Sequence, residues 1–328
     1  MNTIEGLYSD VVDATVRALY SRAKDEQSAM LYYQELGLNE YEPDVPEEVL
    51  NDMSGFGRAT LSSEGQEYGV VTKVKGYPVT LTMRKYTAKF VMTEEDLHWL
   101  NKSASSKRMM DMRNDLSEFE QSMNQNWNED ACKVFYLGHG TTFLTVGNSE
   151  ALFGSHSLKN GETQYNNFGS GDTERELAPT ALTDAISRMN RFKNHNGIQL
   201  LPVRELKLIV STEKSAYAYK MIDSTYGPDT ANTGLQFASA SALKRRGINI
   251  SITVAPDIPY AYREYWSLSE VNRAKRRAFM AYAWKPRMNE VPEYNNGTMV
   301  KTGSTIFGPV VLGWQWAFSS KGSGAAIS

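Results

Sequence analysis

The sequence has little cysteine, no excess of positive charge and no long apolar run. Cys132 is the single cysteine, which excludes a disulfide within the chain and a cluster of thiolate metal ligands. The formal net charge is −3 at pH 7, whereas a dedicated nucleic-acid-binding protein usually carries a basic excess that neutralises phosphates. No run approaches the roughly 20 apolar residues of a membrane span, and no basic region precedes an apolar one at the N-terminus. We therefore expect a protein that folds in a reducing cytoplasm without a membrane.

The composition is that of an ordinary folded protein. Hydrophobic residues make up 41% of the chain and charged residues 22%, which is enough apolar side chain to bury a core. With 328 residues, the chain can hold one large core or two modest ones.

The N-terminal region changes character after its first helix. Apolar residues at a period close to 3.6 predict a helix over residues 3–24. From Asp25 to Gly57 there are nine acidic residues and no Lys or Arg, and Pro43 and Pro46 interrupt any regular element. This pattern indicates an extended acidic arm, for which two interpretations stay open. The arm is either a solvated tether, which the charge pattern alone favours, or a segment that lies on a basic patch of a neighbouring subunit.

The next segments predict a hairpin and then a long helix. Apolar and polar residues alternate on both sides of Gly76 and Pro78, which is typical of two short strands with little core of their own. Thr93 is followed by three acids, as at a helix N-terminus. Because no Gly or Pro occurs between Thr93 and Leu137, the helix could reach about 60 Å, with a weak point at residues 101–107.

The rest of the chain interleaves strands with helices. Pro179 marks the start of a helix, a second helix follows over residues 213–224, and strands are predicted at 205–211, 248–256 and between 265 and 284. The aromatic C-terminal segment, STIFGPVVLGWQWAFSS, predicts one or two further strands. The fold class is therefore mixed α+β.

The residues that could take part in catalysis or metal binding do not form a recognisable catalytic or metal-binding motif. Ser155 and His156 are adjacent, so in an extended segment their side chains point to opposite faces. Ser149 nearly matches a nucleophile motif but lacks the strand-turn-helix context. The four histidines, of which His139 is seven residues from Cys132, show no metal-ligand spacing. We expect no catalytic, cofactor-binding or metal-binding residue, and a cytosolic Ser/His hydrolase is the alternative from another class.

Two basic clusters could meet an acidic partner. They lie at residues 244–246 and 273–277, and the acidic arm is the obvious partner in a second subunit. The hypothesis states that reversing the charge of several of the second cluster's residues blocks assembly without unfolding the monomer. Those residues are Arg273, Lys275, Arg276 and Arg277.

The order of these motifs resembles the major head proteins of tailed bacteriophages, specifically the Mu-like major head subunit group with the Hong Kong 97-type capsid fold. The resemblance extends over about residues 70–318 and departs from the family pattern at residues 148–151, where Asp-Gly is usual. The motifs that carry it are YPVTLTMRKYTAKFVMTEEDL, ALFGSHSLKNGETQYNN, LAPTALTDAISRMNRFKNHNGIQLLPVRELKLIVS, WSLSE and FGPVVLGWQWAF.

The resemblance implies an architecture. It implies an N-terminal arm over residues 1–54 and an E-loop hairpin over 55–92. It further implies a peripheral domain with the spine helix over 93–173 and 286–328, and an axial domain over 174–285. Contacts between subunits are expected at the hairpin cations Lys73, Lys75, Arg84 and Lys85, in addition to the four basic residues at 273–277.

The resemblance also implies a structural function. The expected function is a major capsid protein without enzymatic activity or cofactor, which assembles into the pentamers and hexamers of an icosahedral head around double-stranded DNA. The expected partners are other copies of the chain, scaffolding, portal and decoration proteins, and DNA contacted without sequence specificity. The expected location is the virion, after assembly in the host cytoplasm. An encapsulin-like shell around a protein cargo is the alternative within the fold.

Overall fold

The computed structural model describes residues 18, 20, 21, 31–45, 47–52, 73–93, 107–169, 174–223, 247–288, 293–295 and 298–322. Among these residues no helix is both long and apolar enough to cross a membrane. The predicted N-terminal helix over residues 3–24 lies almost entirely outside the described residues, as does the basic cluster at 244–246.

The chain forms two compact units. The first unit contains Met1–Tyr32, Met83–Asn128 and Ala281–Gly308, and the second contains Tyr33–Thr82, Glu129–Met280 and Pro309–Ser328. The domain boundaries expected from the resemblance stay a prediction.

The first unit is built on antiparallel strands and a long helix. Strand β4 (Arg84–Thr93) pairs with β12 (Thr298–Val311) in a register that joins Thr93 to Thr298 and Arg84 to Phe307. Besides β4 and β12, the sheet contains β1 (Asn39–Tyr41), which lies in the second unit, β10 (Ala278–Met288) and β11 (Glu293–Asn295). Its order is β1-β10-β12-β11, with β4 also paired to β12.

Helix α1 (Lys107–Tyr136) provides the apolar side chains of the first unit's core. Met112, Leu116, Phe119 and Met123 are buried at spacings of three and four residues, as the sequence predicts, and they cluster with Met92 of β4. The contact between helix and sheet is close at Gly303, where a Cβ atom would lie 2.6 Å from Cζ of Phe119. Glycine at this position therefore lets β12 approach the helix.

The second unit contains a four-stranded sheet of order β13-β9-β7-β8. Strands β7 (Glu205–Ser211) and β8 (Asn249–Ala255) are parallel, whereas β9 (Trp266–Glu270) and β13 (Ala317–Ser320) are antiparallel to their neighbours. Helix α2 (Pro179–Met189) has its proline in the first turn, and α3 (Thr212–Asp223) lies between β7 and β8 in the chain. These elements confirm the interleaved α+β pattern predicted from the sequence.

Smaller elements complete the second unit. The short helix α4 (Val271–Ala274) connects β9 to β10. Strand β2 (Val49–Asn51) pairs with β3 (Pro78–Thr80), and β5 (Ser155–Ser157) pairs with β6 (Thr163–Tyr165).

Two predictions about the N-terminal third need correction. Thr93 ends strand β4 rather than capping a helix, because it is held in register opposite Thr298. Residues 94–106 lie outside the described residues, and the described helix of 30 residues extends about 45 Å. The predicted hairpin across Gly76 is not formed by the described residues, since β3 pairs with β2 and β4 with β12. Residues 53–72 of that hairpin are outside the described part.

The described part of the acidic arm is not a solvated tether. Tyr33, Leu36 and Leu38 are buried, and Asn39 donates hydrogen bonds to the carbonyl oxygens of Ala274 and Ala278. Charge counting missed this because it averages over the whole segment, in which the buried apolar residues are few. Tyr33, Leu36 and Leu38 therefore belong to the core of the second unit.

Candidate functional site

The second unit contains a pocket whose lining is dominated by arginine and lysine. The pocket has a volume of about 720 Å³ and lies between the loop that leads into β7 and the turn that joins β9 to β10. Five of its side chains are basic and one, Glu270, is acidic. Its lining residues are Asn194, Leu200, Leu201, Pro202, Arg204, Glu270, Asn272, Arg273, Lys275, Arg276 and Arg277. We call this site the basic pocket.

Two arginines form the fixed part of the basic pocket. Arg273 donates to the carbonyl oxygens of Gln315 at 3.0 Å and Leu201 at 2.5 Å, and burial lowers its pKa to about 10. Arg277 is buried, donates to Oε1 of Gln315 at 2.6 Å, and has a pKa lowered by burial despite the opposing charge of Asp52. Both guanidinium groups are therefore tied into the subunit's own structure.

The other cations of the pocket are exposed. Arg204, Lys275 and Arg276 lie at its rim, and within the described residues Lys275 and Arg276 take part in no ion pair. Leu201 stands beside them with 85% of its surface exposed. The rim is therefore a positively charged surface with one large apolar side chain.

A buried polar pair includes Asp52, whose charge acts on Arg277. Oδ2 of Asp52 lies 2.9 Å from Nε2 of His195, and the ring of Tyr77 meets the imidazole edge-on. Gly76 and Gly313 allow Asp52 to fit there, because a Cβ atom on either would lie within 2.6 Å of Asp52 atoms. Sequence reasoning missed this pair, since the two residues are separated by 143 positions and no local pattern connects them.

The structure changes the interpretation of the four predicted contact residues at 273–277. Lys275 and Arg276 are exposed and available to a partner, whereas Arg273 is half-buried and Arg277 is buried. The hypothesis that several of these residues can be reversed without unfolding the monomer stays a prediction for Lys275 and Arg276, whereas Arg273 and Arg277 make hydrogen bonds within the subunit's own structure.

The remaining predicted contact residues lie on the surface of their own units. Lys73 and Lys75 are exposed in the second unit, and Arg84 and Lys85 are exposed at the start of β4 in the first unit. The inter-subunit role predicted for these four residues stays a prediction.

Ser155 and His156 do not form a nucleophilic site. In β5 the Ser155 side chain is exposed and the His156 side chain is fully buried, as the alternation of a strand predicts. The His156 ring stacks on Trp314 at 4.5 Å and lies 3.1 Å from both Glu150 and Asn166. Burial raises the pKa of Glu150, but the hydrogen bond and charge of His156 outweigh that effect and hold it below its usual value. His156 therefore has a structural role.

The other residues considered for chemistry are also structural. Cys132 is fully buried in α1. Among the described residues, which do not include His98, no three His, Cys, Asp or Glu side chains are placed to hold a metal ion. Ser149 lies in a tight turn with φ of 58°.

His139 makes the stability of the second unit depend on pH. Its Nε2 lies 3.0 Å from Oγ of the buried Ser319, and burial together with the charge of Lys321 lowers its pKa to about 3. An unfolded histidine has a pKa of about 6.5. At pH values between the folded and unfolded pKa values, the unfolded chain therefore binds a proton on this residue that the folded chain does not bind. The free energy of unfolding should therefore fall as the pH is lowered below about 6.5, by about 1 kcal/mol per pH unit from this residue.

The variant His139→Gln tests this dependence. Urea unfolding at pH 7.5, 6.5 and 5.5 should give a shallower loss of stability for the variant than for the unmodified protein. His156 and His195 are present in both proteins, so the difference between the two slopes isolates His139. Parallel slopes would contradict the prediction, because they would mean that the folded protein accepts the proton on His139.

Comparisons with known proteins identify the fold. No protein-family model matches the sequence, and no curated protein matches it. The capsid of Myoviridae phage XM1 is similar in structure over 89% of this chain and 92% of that chain, with a TM-score of 0.50 and 10% sequence identity. The capsid of a native GTA particle matches over 88% and 89% with a TM-score of 0.48 and 12% identity. A virus-like particle from Pyrococcus furiosus matches over 94% and 98% with a TM-score of 0.46 and 9% identity.

The likeness to the phage XM1 capsid extends over both units of this chain, since it covers 89% of the residues. The mixed α+β arrangement of two sheets, a long helix and connecting helices is the one that the order of sequence motifs implies. The chain therefore has the fold of a tailed-phage capsid protein, the Hong Kong 97-type fold.

Proposed function

We propose that the protein is the major capsid protein of a tailed bacteriophage, which assembles into the pentamers and hexamers of an icosahedral head around double-stranded DNA. The observation that carries the proposal is the similarity to the phage XM1 capsid over nearly the whole length of both chains. Membership of the Mu-like group stays a prediction from the sequence motifs.

The described residues support a structural rather than a catalytic function. The Ser155–His156 pair, which suggested a hydrolase, is split between the exposed and buried faces of β5. The basic pocket has five cationic side chains in its lining and a rim that makes no ion pair within the described residues. Such a site suits an acidic partner better than a reaction centre.

The net charge fits a shell that confines nucleic acid. A mildly acidic subunit, with a formal charge of −3, does not bind the duplex tightly across its whole surface and so allows its release. Contacts with packaged DNA are then local and independent of base sequence. Scaffolding, portal and decoration proteins are further partners proposed from the resemblance.

Electron microscopy of the purified full-length chain tests the proposal. We expect closed shells or rings with five- and six-fold symmetry, because capsid subunits associate with one another spontaneously. A chain that stays monomeric at high concentration, in the presence or absence of co-expressed host factors, would contradict the proposal. Shells that contain a protein cargo and no duplex DNA would instead favour the encapsulin-like alternative.

A further inference from the structure

An exposed acidic segment in the second unit matches the rim of the basic pocket in charge. This acidic segment, residues 42–45 and 47–49, leads from β1 into the start of β2 and contains Glu42, Asp44 and Glu47, all exposed. Within the described residues these three carboxylates take part in no ion pair. The segment therefore carries negative charges that form no ion pair with the described cations of its own chain.

The acidic segment is held in place at both ends. Before it, β1 belongs to the five-stranded sheet, and after it, β2 pairs with β3. Across its base the hydroxyl of Tyr41 donates to Oε2 of Glu48 at 2.7 Å, and the Tyr41 ring packs against Phe279. A segment already held in this way loses little conformational freedom on docking.

The apolar groups of the two surfaces also correspond. Val45 and Val49 of the acidic segment are 50% and 60% exposed, and Leu201 at the pocket rim is 85% exposed. A binding surface that combines cations with an exposed leucine matches a peptide that combines carboxylates with exposed valines. A phosphate backbone offers no such apolar group.

We infer that the acidic segment of one copy of the chain enters the basic pocket of a second copy. The inference identifies the partner of the basic pocket as another copy of the chain, and it rests on the proposed capsid function. Lys275, Arg276 and Arg204 contact the carboxylates, with the arginines able to bind them through two parallel hydrogen bonds. Arg273 and Arg277 supply fixed positive charge beneath the site without moving, because the subunit's own groups hold them.

Charge reversal on both sides tests the inference. The rim variant is Lys275→Glu with Arg276→Glu, and the segment variant is Glu42→Lys with Asp44→Lys and Glu47→Lys. Each variant alone should reduce the assembled fraction of the full-length chain at least tenfold in sedimentation at physiological salt. A mixture of the two variants should recover assembly, because each copy then offers a surface that the other can bind.

A matched control separates local charge from net charge. Arg191→Glu with Lys220→Glu changes the net charge as much as the rim variant does, at exposed positions of the same unit outside the pocket lining. This control should assemble as the unmodified chain does. Circular dichroism of the rim variant should be unchanged, since both of its positions are exposed.

A peptide provides a measurement that does not depend on the folding of a variant. The peptide EYEPDVPEEVL, residues 40–50, should slow the assembly of the unmodified chain when added in excess. A peptide with the same length and with Gln and Asn in place of the acids should not. Equal effects of the two peptides would contradict the inference.

The possible outcomes distinguish the inference from the proposed function. If the rim and segment variants both assemble normally, the inference is wrong while the capsid function stands. If the unmodified chain never assembles, both are wrong. If the rim variant assembles normally but loses binding to a labelled 30-base-pair duplex, the pocket takes nucleic acid and the inference is wrong.

Discussion

The substitution Arg277→Glu should unfold the second unit under conditions in which Arg276→Glu leaves it intact. Arg277 is buried, donates to Gln315 at 2.6 Å and lies within the electrostatic reach of Asp52 and Glu270. A glutamate there would place a third carboxylate among these acids and leave the Gln315 oxygen without its donor. Breaking a buried charged interaction costs about 3–5 kcal/mol, which is a large part of the stability of a typical domain.

Arg276 provides the matched control because it is the neighbouring residue with the same side chain. It is exposed and takes part in no ion pair within the described residues, so its reversal should change the free energy of unfolding by less than about 0.5 kcal/mol. Urea unfolding of the unassembled subunits, followed by circular dichroism, compares the two variants directly. Equal stability of both would mean that Arg277 is not part of the second unit's core.

The variant Arg277→Met separates loss of charge from reversal of charge. Methionine fills most of the volume of the arginine stem but provides no donor for Gln315 and no charge beside Asp52. Its stability should therefore lie between that of Arg277→Glu and that of the unmodified protein. An Arg277→Met variant as unstable as Arg277→Glu would mean that loss of the donor to Gln315, rather than reversal of the charge, dominates at this position.

These two neighbouring arginines illustrate what the sequence alone could not provide. The sequence identifies a basic cluster, but the burial of each member depends on how the turn after α4 leads into β10. Arg276 turns toward solvent, and Arg277 turns toward Gln315 and the C-terminal region of the chain. A contact over 38 positions has no local sequence signal.

The regular elements were easier to predict because their signals are local. Pro179 begins α2, and the apolar run at 205–211 forms β7 with the bounds that the sequence predicts. Strand β9 (Trp266–Glu270) lies within residues 265–284, where the sequence predicts strands. The opposite exposure of Ser155 and His156 also follows from the geometry of a strand.

The acidic arm shows the limit of composition as a guide. Nine acids without a single lysine or arginine indicate a solvated segment, but Tyr33, Leu36 and Leu38 are buried and anchor it. Burying three large apolar side chains contributes several kcal/mol at about 25 cal/mol per Å², which outweighs the weak repulsion among exposed carboxylates. Composition averages over a segment and therefore misses a few anchoring residues.

The largest effect in the first unit should come from Trp127→Ala. Trp127 is fully buried, stacks on Phe307 at 4.6 Å and donates from Nε1 to Oγ1 of Thr305 at 3.0 Å. It thereby joins helix α1 to strand β12 within the same unit. Truncation of a buried tryptophan to alanine leaves a large cavity and costs about 3–5 kcal/mol, so the urea midpoint should fall sharply.

Two further variants show whether packing or the hydrogen bond dominates. Trp127→Phe keeps the ring against Phe307 but loses the donor to Thr305, so it should recover most of the lost stability and remain about 1 kcal/mol below the unmodified protein. Gln125→Ala, at an exposed position of the same helix, should change the free energy of unfolding by less than about 0.5 kcal/mol. If Trp127→Ala were as mild as Gln125→Ala, the helix would not be held on β12 by this side chain. The packing of the first unit therefore predicts that the loss of stability increases in the order Gln125→Ala, Trp127→Phe, Trp127→Ala.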